Sequence, residues 1–520
     1  MMKLNIFRIS AIVVILATMA SCTRNFEKIN TNPNGVRYVA PDQLLPAALT
    51  DALGYNMTRN RNFNNELMQV TVNITDAEGA VFRYDYRSNW SDYLWNGLYG
   101  ELTNFKDMYR DSTSNNNKSY KGISLICQAW LYSILTDTYG DIPFSESNSA
   151  KAEFGGIVEP KFDSQKDVYL GMFEMLEEAN TLLSAGEAIN ASRDPAYNGN
   201  VAGWRKFGNS LYLRLLMRVS GKAEVSAQAI AKIKEIAQTN AAQYPIFEKN
   251  AESARVLWTG VAPYVSPFFG IRVQDFRSPG IASFFIDNLL AWTDPRIVSS
   301  APYGSGSIGQ LGIAQASGGG FFGVPSGYEP GQGELKGSYF QSSDNASTGR
   351  FSLQLNPLTG IMMQYSEVQF ILAEAVAKGW ITGDAKTFFY KGIASAINYW
   401  VSNFPENITS ANFTTHLENM AAGSAVWDDN LSLNNKMELI HLQKYVALFM
   451  TDMQQWFEYR RTGHPDLHLN ELKGLKNGGV MPARMVYPVY VQSTNPTNYK
   501  AAIAVQGPDL ISNQVWWQRP

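Results

Sequence analysis

KMELIHLQKYVALFMTDMQQWFEYRRTGHPDL, residues 436–467, is the stretch from which the fold can be read. Leu439, Leu442, Val446, Phe449, Met453 and Trp456 recur at steps of three and four, which lays them along one apolar stripe of an α-helix. The end of the helix is also legible. Arg460 and Arg461 fall in its last turn, where cations suit the negative pole of the helix dipole. Gly463 can adopt a left-handed cap and Pro465 forbids continuation. The expectation is one long helix over 436–461, with Phe449 and Trp456 facing the core.

The bulk composition bounds the rest. The chain has 520 residues, 45% of them hydrophobic, which is more than one ordinary core requires. One large α-rich body with irregular excursions, or two fused lobes, would account for it. A net charge of −3 without any basic cluster excludes nucleic acid as a partner. Two cysteines, Cys22 and Cys127, make no disulfide framework, and Cys127 within an apolar helical run reads as a small core residue. Aromatic residues reach 12%, and many stand in polar, glycine-rich surroundings, as they would on a binding surface.

The N-terminus carries an address. Lys3 and Arg8 precede an apolar run over residues 9–20 that is too short to span a bilayer stably and ends Met19-Ala20-Ser21-Cys22. A basic start, an apolar middle and small residues before a cysteine describe a bacterial lipoprotein signal over 1–21, with Met19 where leucine is usual. Cys22 would be acylated, and each buried CH₂ of its chains would contribute about 0.8 kcal/mol of anchoring. Residues 22–41, polar and turn-rich, read as a tether, and 42–520 as a single body.

Along that body, helical periodicity is legible over 42–53, 62–72, 95–109, 122–138, 168–183, 201–219 and 223–240. Residues 76–95, DAEGAVFRYDYRSNWSDYLW, lose the helical period and are dense in aromatic rings. Between 258 and 360 the chain is rich in Pro, Gly and Ser, with a dozen glycines from Gly304 to Gly337 and one helix around 281–291. Ordering so much glycine is entropically costly, and a long aperiodic segment of this kind is usually functional. Residues 361–467 return to helical order. YSEVQFILAEAVAKG (365–379) and DAKTFFYKGIASAINYW (384–400) form a helical pair in which Ala373, Ala375, Gly392 and Ala396 allow close backbone approach. The fold class expected is mainly α: an irregular tetratricopeptide-like scaffold of helical pairs, with long loop excursions and little β-structure.

Several phrases are familiar as a set: the lipoprotein signal, NFEKINTNPNG after it, DTYGDIPFSES at 137–147, the 365–379 segment, LQKYVALFMTDMQQWFEYRRTGHPDL and MPARMVYP at 481–488. In this order the chain resembles the SusD/RagB family, specifically its SusD-like type. That resemblance implies a non-enzymatic lipoprotein on the cell-surface side of the outer membrane. It would cap a SusC-like TonB-dependent β-barrel and hand it an oligosaccharide, or peptides in the manner of RagB-like members. It also implies a ligand surface on loops projecting from the helices.

The residues themselves offer no catalytic constellation. No G-x-S-x-G, H-E-x-x-H or phosphate-binding loop occurs, and Pro465 between His464 and His468 removes the helical spacing of a zinc pair. The adjacent acids Asp428-Asp429 and Glu177-Glu178 read as solvated surface, and a glycosidase, the remaining rival class, would need two carboxyls about 5–9 Å apart across a cleft. No cofactor is expected. Ca²⁺ is the one ion whose oxygen chemistry the Asp/Asn-rich loops match, without EF-hand spacing. A neutral glycan needs flat rings beneath it and hydrogen-bonding side chains around it. Candidate rings are Tyr84, Trp90 and Tyr93 in the first aromatic segment, and Trp292, Phe321 and Tyr328 in the glycine-rich excursion.

Overall fold

A computed structural model describes residues 39–114, 116–297, 311–333, 335–343, 351–423 and 425–519. The signal segment, Cys22 and the tether up to residue 38 lie outside the described residues. The helices run α1 (Pro41–Arg59), α2 (Trp90–Ser114), α3 (Lys118–Tyr139), α4 (Gln165–Leu183), α5 (Val201–Val219), α6 (Ser226–Lys234), α7 (Ser283–Ala291), α8 (Tyr365–Ala377), α9 (Ala385–Trp400), α10 (Ala411–Ala422), α11 (Leu433–Ala447), α12 (Gln454–Thr462) and α13 (Pro496–Gln506). The protein is mainly α, with successive helices packed as pairs: α1 on α2, α2 on α3, α3 on α4, α8 on α9. Ala40–Pro520 forms one compact unit.

Close approach within the pairs follows from small residues at the crossings. A Cβ on Gly392 would stand 2.8 Å from the ring of Phe370, so α9 can lie this close to α8 only with glycine there. Helix α3 is buried on nearly every side because α2 and α4 cover opposite faces. Its Asn117 cap accepts from the Tyr120 amide, and the helix stops at Gly140. Cys127 is buried there as a free thiol, as expected of a small core residue.

Beta structure is slight: β1 (Thr71–Val72), β2 (Ala254–Val256), β3 (Gly280–Ile281), β4 (Ile313–Ala314), β5 (Tyr339–Phe340) and β6 (Gly360–Met363). The four-stranded sheet has the order β1-β3-β5-β4, and all its pairs are antiparallel. It stitches the glycine-rich excursion to the segment that follows α1. The second sheet pairs β2 with β6, closing the base of the excursion.

Two expectations are corrected. The single helix over 436–461 is two helices, α11 and α12, separated by a turn in which Met450 and Asp452 have φ of 68° and 29°. Side-chain amides stabilise the break. Gln364 donates to the Ala447 carbonyl at 3.2 Å, Gln455 to Tyr445 at 2.8 Å and Asn60 to Asp452 at 2.7 Å. Carbonyls that an unbroken helix would satisfy internally thus find partners from α12 and from two distant segments. Phe449 and Trp456 are both fully buried despite the break. The second correction is that Trp90–Trp95 is already helical. The Trp90 and Ser91 amides bond back to Arg87 and Ser88 at 3.1 Å each, and Asp92 in the first turn suits the positive pole of α2.

A buried acid sets a pH prediction. Glu66, in the one-turn helix Asn65–Leu67, is buried, and that burial raises its carboxyl from the ordinary 4.5 to about 8. The Phe82 backbone and Arg61 oppose the shift without cancelling it. A folded value above the unfolded one means that the folded chain holds the proton longer. This contribution is complete below about pH 4.5 and is lost as pH rises towards 8. Between pH 5 and pH 8.5, wild type should lose on the order of 3–5 kcal/mol relative to Glu66→Gln in parallel urea melts. Identical pH profiles for the two proteins would refute the assignment.

Candidate functional site

The six candidate rings separate once the chain is folded. Three are enclosed. Tyr84 is 1% exposed, packs in the main core and directs its hydroxyl to the Leu67 carbonyl at 3.4 Å. Trp292, also 1% exposed, follows α7 directly into the core. Tyr328 is 9% exposed: its hydroxyl receives the Thr75 amide at 2.9 Å and its ring lies 5.1 Å from Phe82. Trp292 and Tyr328 tie the excursion to the body, and Tyr84 ties the first aromatic segment to the core, so all three rings are enclosed. Phe321 is half-buried against the same core.

Trp90 and Tyr93 stay near the surface, and the fold brings them together with residues the sequence reading passed over. Helix α1 presents Asp51, Tyr55 and Thr58 at steps of four and three, so one face carries a carboxylate, a ring and a hydroxyl. The Tyr55 ring meets Tyr93 edge-on at 5.1 Å. An open cleft of about 390 Å³ lies over them, its far wall formed by Pro263, Val265 and Pro267. That spacing in α1 was the available signal; the proline-bounded wall, from more than 200 residues away, had none.

Beneath the rings, Arg59 at the end of α1 holds the arrangement. It donates to the Trp90 carbonyl at 2.9 Å, and its guanidinium carbon sits 4.8 Å from the Trp90 ring centre and 4.7 Å from that of Tyr93. Burial lowers the Arg59 guanidinium from its ordinary value, while the charge of nearby acid groups partly restores it. Its cation stays under the ring faces, where the ring quadrupoles favour it. Asp51 at the mouth has no ion-pair partner among the described residues, and partial burial raises its carboxyl. Burial likewise raises the Tyr55 phenol, with the charge on Glu101 adding to it. Glu101 itself is held by Asn104 at 2.8 Å and does not line the cleft, so among the described residues no second carboxyl faces Asp51 across it.

Among the described residues, one cluster has metal-ligand types, Glu374, His441 and Glu458, and cations already fill it. Arg461 bonds both carboxylates of the pair, Lys378 reaches Glu374 at 2.6 Å, and Lys444 reaches Glu458 at 2.8 Å. The donors are thereby neutralised, and a divalent ion would have to displace arginine and lysine. His464 is held by Glu438 at 2.6 Å, while His468 lies exposed beside Asp466. The two histidines do not converge.

The family model described as "Starch-binding associating with outer membrane", SusD-like, matches residues 33–488. Among solved structures, a SusD homologue from Bacteroides uniformis superposes with a TM-score of 0.72 at 23% identity, over 92% of this chain and 99% of that one. A SusD-like protein from Bacteroides thetaiotaomicron gives 0.69 at 21% identity, over 91% and 98%. A chitin-binding SusD homologue from Flavobacterium johnsoniae gives 0.69 at 20%, over 92% and 98%. A comparison with curated proteins finds no match. No helix among the described residues is long and apolar enough to cross a membrane.

Proposed function

The chain belongs to the SusD-like family of outer-membrane-associated proteins, and from that premise we propose that it is a surface glycan-binding lipoprotein. It captures oligosaccharide and delivers it, as a hinged lid, to a SusC-like TonB-dependent barrel. The carrying observation is the Tyr55–Tyr93 cleft. It offers two held rings, an unpaired carboxylate and threonine hydroxyls, without a nucleophile and base set to break a bond. Such a surface can stack on the C–H face of a sugar and take its hydroxyls at the rim. The names of similar structures, one of them chitin-binding, support a polysaccharide as the source of the ligand.

Tyr93→Ala should weaken oligosaccharide binding roughly five- to 150-fold, about 1–3 kcal/mol, with melting almost unchanged because the ring is 38% exposed. Calorimetry with malto- and chito-oligosaccharides and with mixed peptides checks it. Full affinity in Tyr93→Ala would remove the cleft from the site, and binding of peptides alone would establish the RagB-like cargo instead. Anchoring is tested separately. Cys22→Ala should move the protein from the membrane to the soluble fraction, and unchanged fractionation would refute acylation at Cys22.

A further inference from the structure

A larger cleft, of about 640 Å³, opens on another part of the molecule, where the end of α12 meets the C-terminal segment. Its volume lies within the roughly 300–1,000 Å³ of small-ligand sites. The side chains around it differ in kind from those of the tyrosine cleft. Arg460 and Arg519 line it together with the amides of Asn477, Asn513, Gln514 and Gln518, and among the described residues no aspartate or glutamate does. In a chain of net charge −3, the described residues lining this cavity include two cations and no anion.

The two guanidiniums are fixed in place without being neutralised. Arg460 lies on the Trp456 ring, its guanidinium carbon 3.9 Å from the ring centre, and donates to the backbone carbonyls of Ala483 and Asp137, the latter at 2.6 Å. Its Nε is enclosed and has no acceptor. Arg519 donates through Nε to the Gln514 carbonyl at 2.9 Å and through Nη2 to that of Gln506. Neither forms an ion pair among the described residues. The carboxylate whose field Arg519 shares, Asp141, is buried and does not line the cleft. Asp137, which attracts Arg460, is taken by Arg218 at 3.7 Å. Burial and the like charge of Arg218 lower the Arg460 guanidinium to about 9. An incoming anion would reverse that penalty.

We propose that this cleft binds the acidic unit of a glycan, a sugar bearing a carboxylate. The carboxylate would be taken by the remaining N–H groups of the two arginines, which favour bidentate oxyanion contact. Ring hydroxyls would be taken by the free ends of the amides. The Asn477 amide nitrogen is engaged with the Val480 carbonyl at 3.0 Å, leaving its oxygen to accept, whereas Gln518 uses its oxygen on the Val515 amide at 3.3 Å, leaving its nitrogen to donate. Both polarities are thus presented, as a polyhydroxylated ligand requires. The inference stands independently of the tyrosine cleft.

The test is calorimetric titration of the folded chain with D-galacturonate and D-glucuronate, against D-galactose and acetate. The uronates should bind wild type with roughly millimolar affinity. Arg519→Gln, at a half-buried position, should weaken them at least tenfold, and Gln518→Glu, which sets a carboxylate in the cleft, should abolish binding while its oxygen still accepts from Val515. Tyr93→Ala should leave uronate binding intact, which separates this site from the other cleft. The proposal is overturned if Arg519→Gln binds the uronates as wild type does, if galactose binds equally well and with the same sensitivity, or if acetate matches the uronates. Melting curves of each variant confirm that the fold is retained.

Discussion

Trp456→Ala should lower the stability of the folded chain by about 3–5 kcal/mol in urea unfolding, among the largest effects expected of any single truncation here. The indole is fully buried where α12 meets the segment that follows α1. It meets Phe63 edge-on at 5.9 Å, and its Nε1 donates to the Pro482 carbonyl at 2.8 Å. Removing it opens a cavity of nearly a whole ring system, since the backbone on both sides is held. The Trp456 amide bonds the Asn64 side chain at 3.2 Å, and Asn64 also bonds Gln455 at 2.7 Å. The Pro482 carbonyl would be left without its donor, at a further cost. Trp456→Phe keeps most of the volume and should cost clearly less. A Trp456→Ala protein that melts normally and fails to bind ligand would reverse the assignment from core to site.

Glu367→Gln should be comparably severe, about 3–5 kcal/mol, through charge rather than volume. Glu367 on α8 receives Arg214 of α5 in a fork, Nε to Oε1 at 2.7 Å and Nη2 to Oε2 at 2.5 Å, with both side chains 1% exposed. Neutralising the acid alone strands a buried guanidinium whose other contact is the Met362 carbonyl at 3.2 Å. Replacing both partners, Arg214→Met with Glu367→Leu, removes the stranded charge and should recover much of the loss. Denaturant titration of the two single variants and the double variant measures the coupling directly. Additive losses would mean that the pair does not act as a unit.

These two sites show what kind of information lies in the sequence. The stripe through Phe449 and Trp456 was legible because a helix is written in contacts three and four residues apart, and both residues are buried as that stripe implies. The caps were legible for the same reason: Gly463 does take the left-handed conformation that ends α12. The 365–379 and 384–400 pair, with its small residues at the crossing, required only local spacing and side-chain volume. The ordered set of motifs carried the family, which the match over residues 33–488 bears out.

Which of the candidate rings the fold would enclose was not legible. A ring in an aperiodic, glycine-rich segment looks available, yet Tyr328 is closed off by Thr75 and Phe82, some 250 residues earlier, and Trp292 by the core behind α7. Conversely, Asp51 and Tyr55 look like the outer face of an ordinary helix until Tyr93 and the 263–267 segment arrive beside them. The break between α11 and α12 belongs to the same class, since the amides that cap its carbonyls come from Asn60 and Gln364. Local periodicity determined the helices, their ends and their pairing, because those depend on hydrogen bonds and packing within a few turns. Which rings are core and which can meet a ligand was decided by tertiary structure alone, because burial depends on which distant segment covers a side chain.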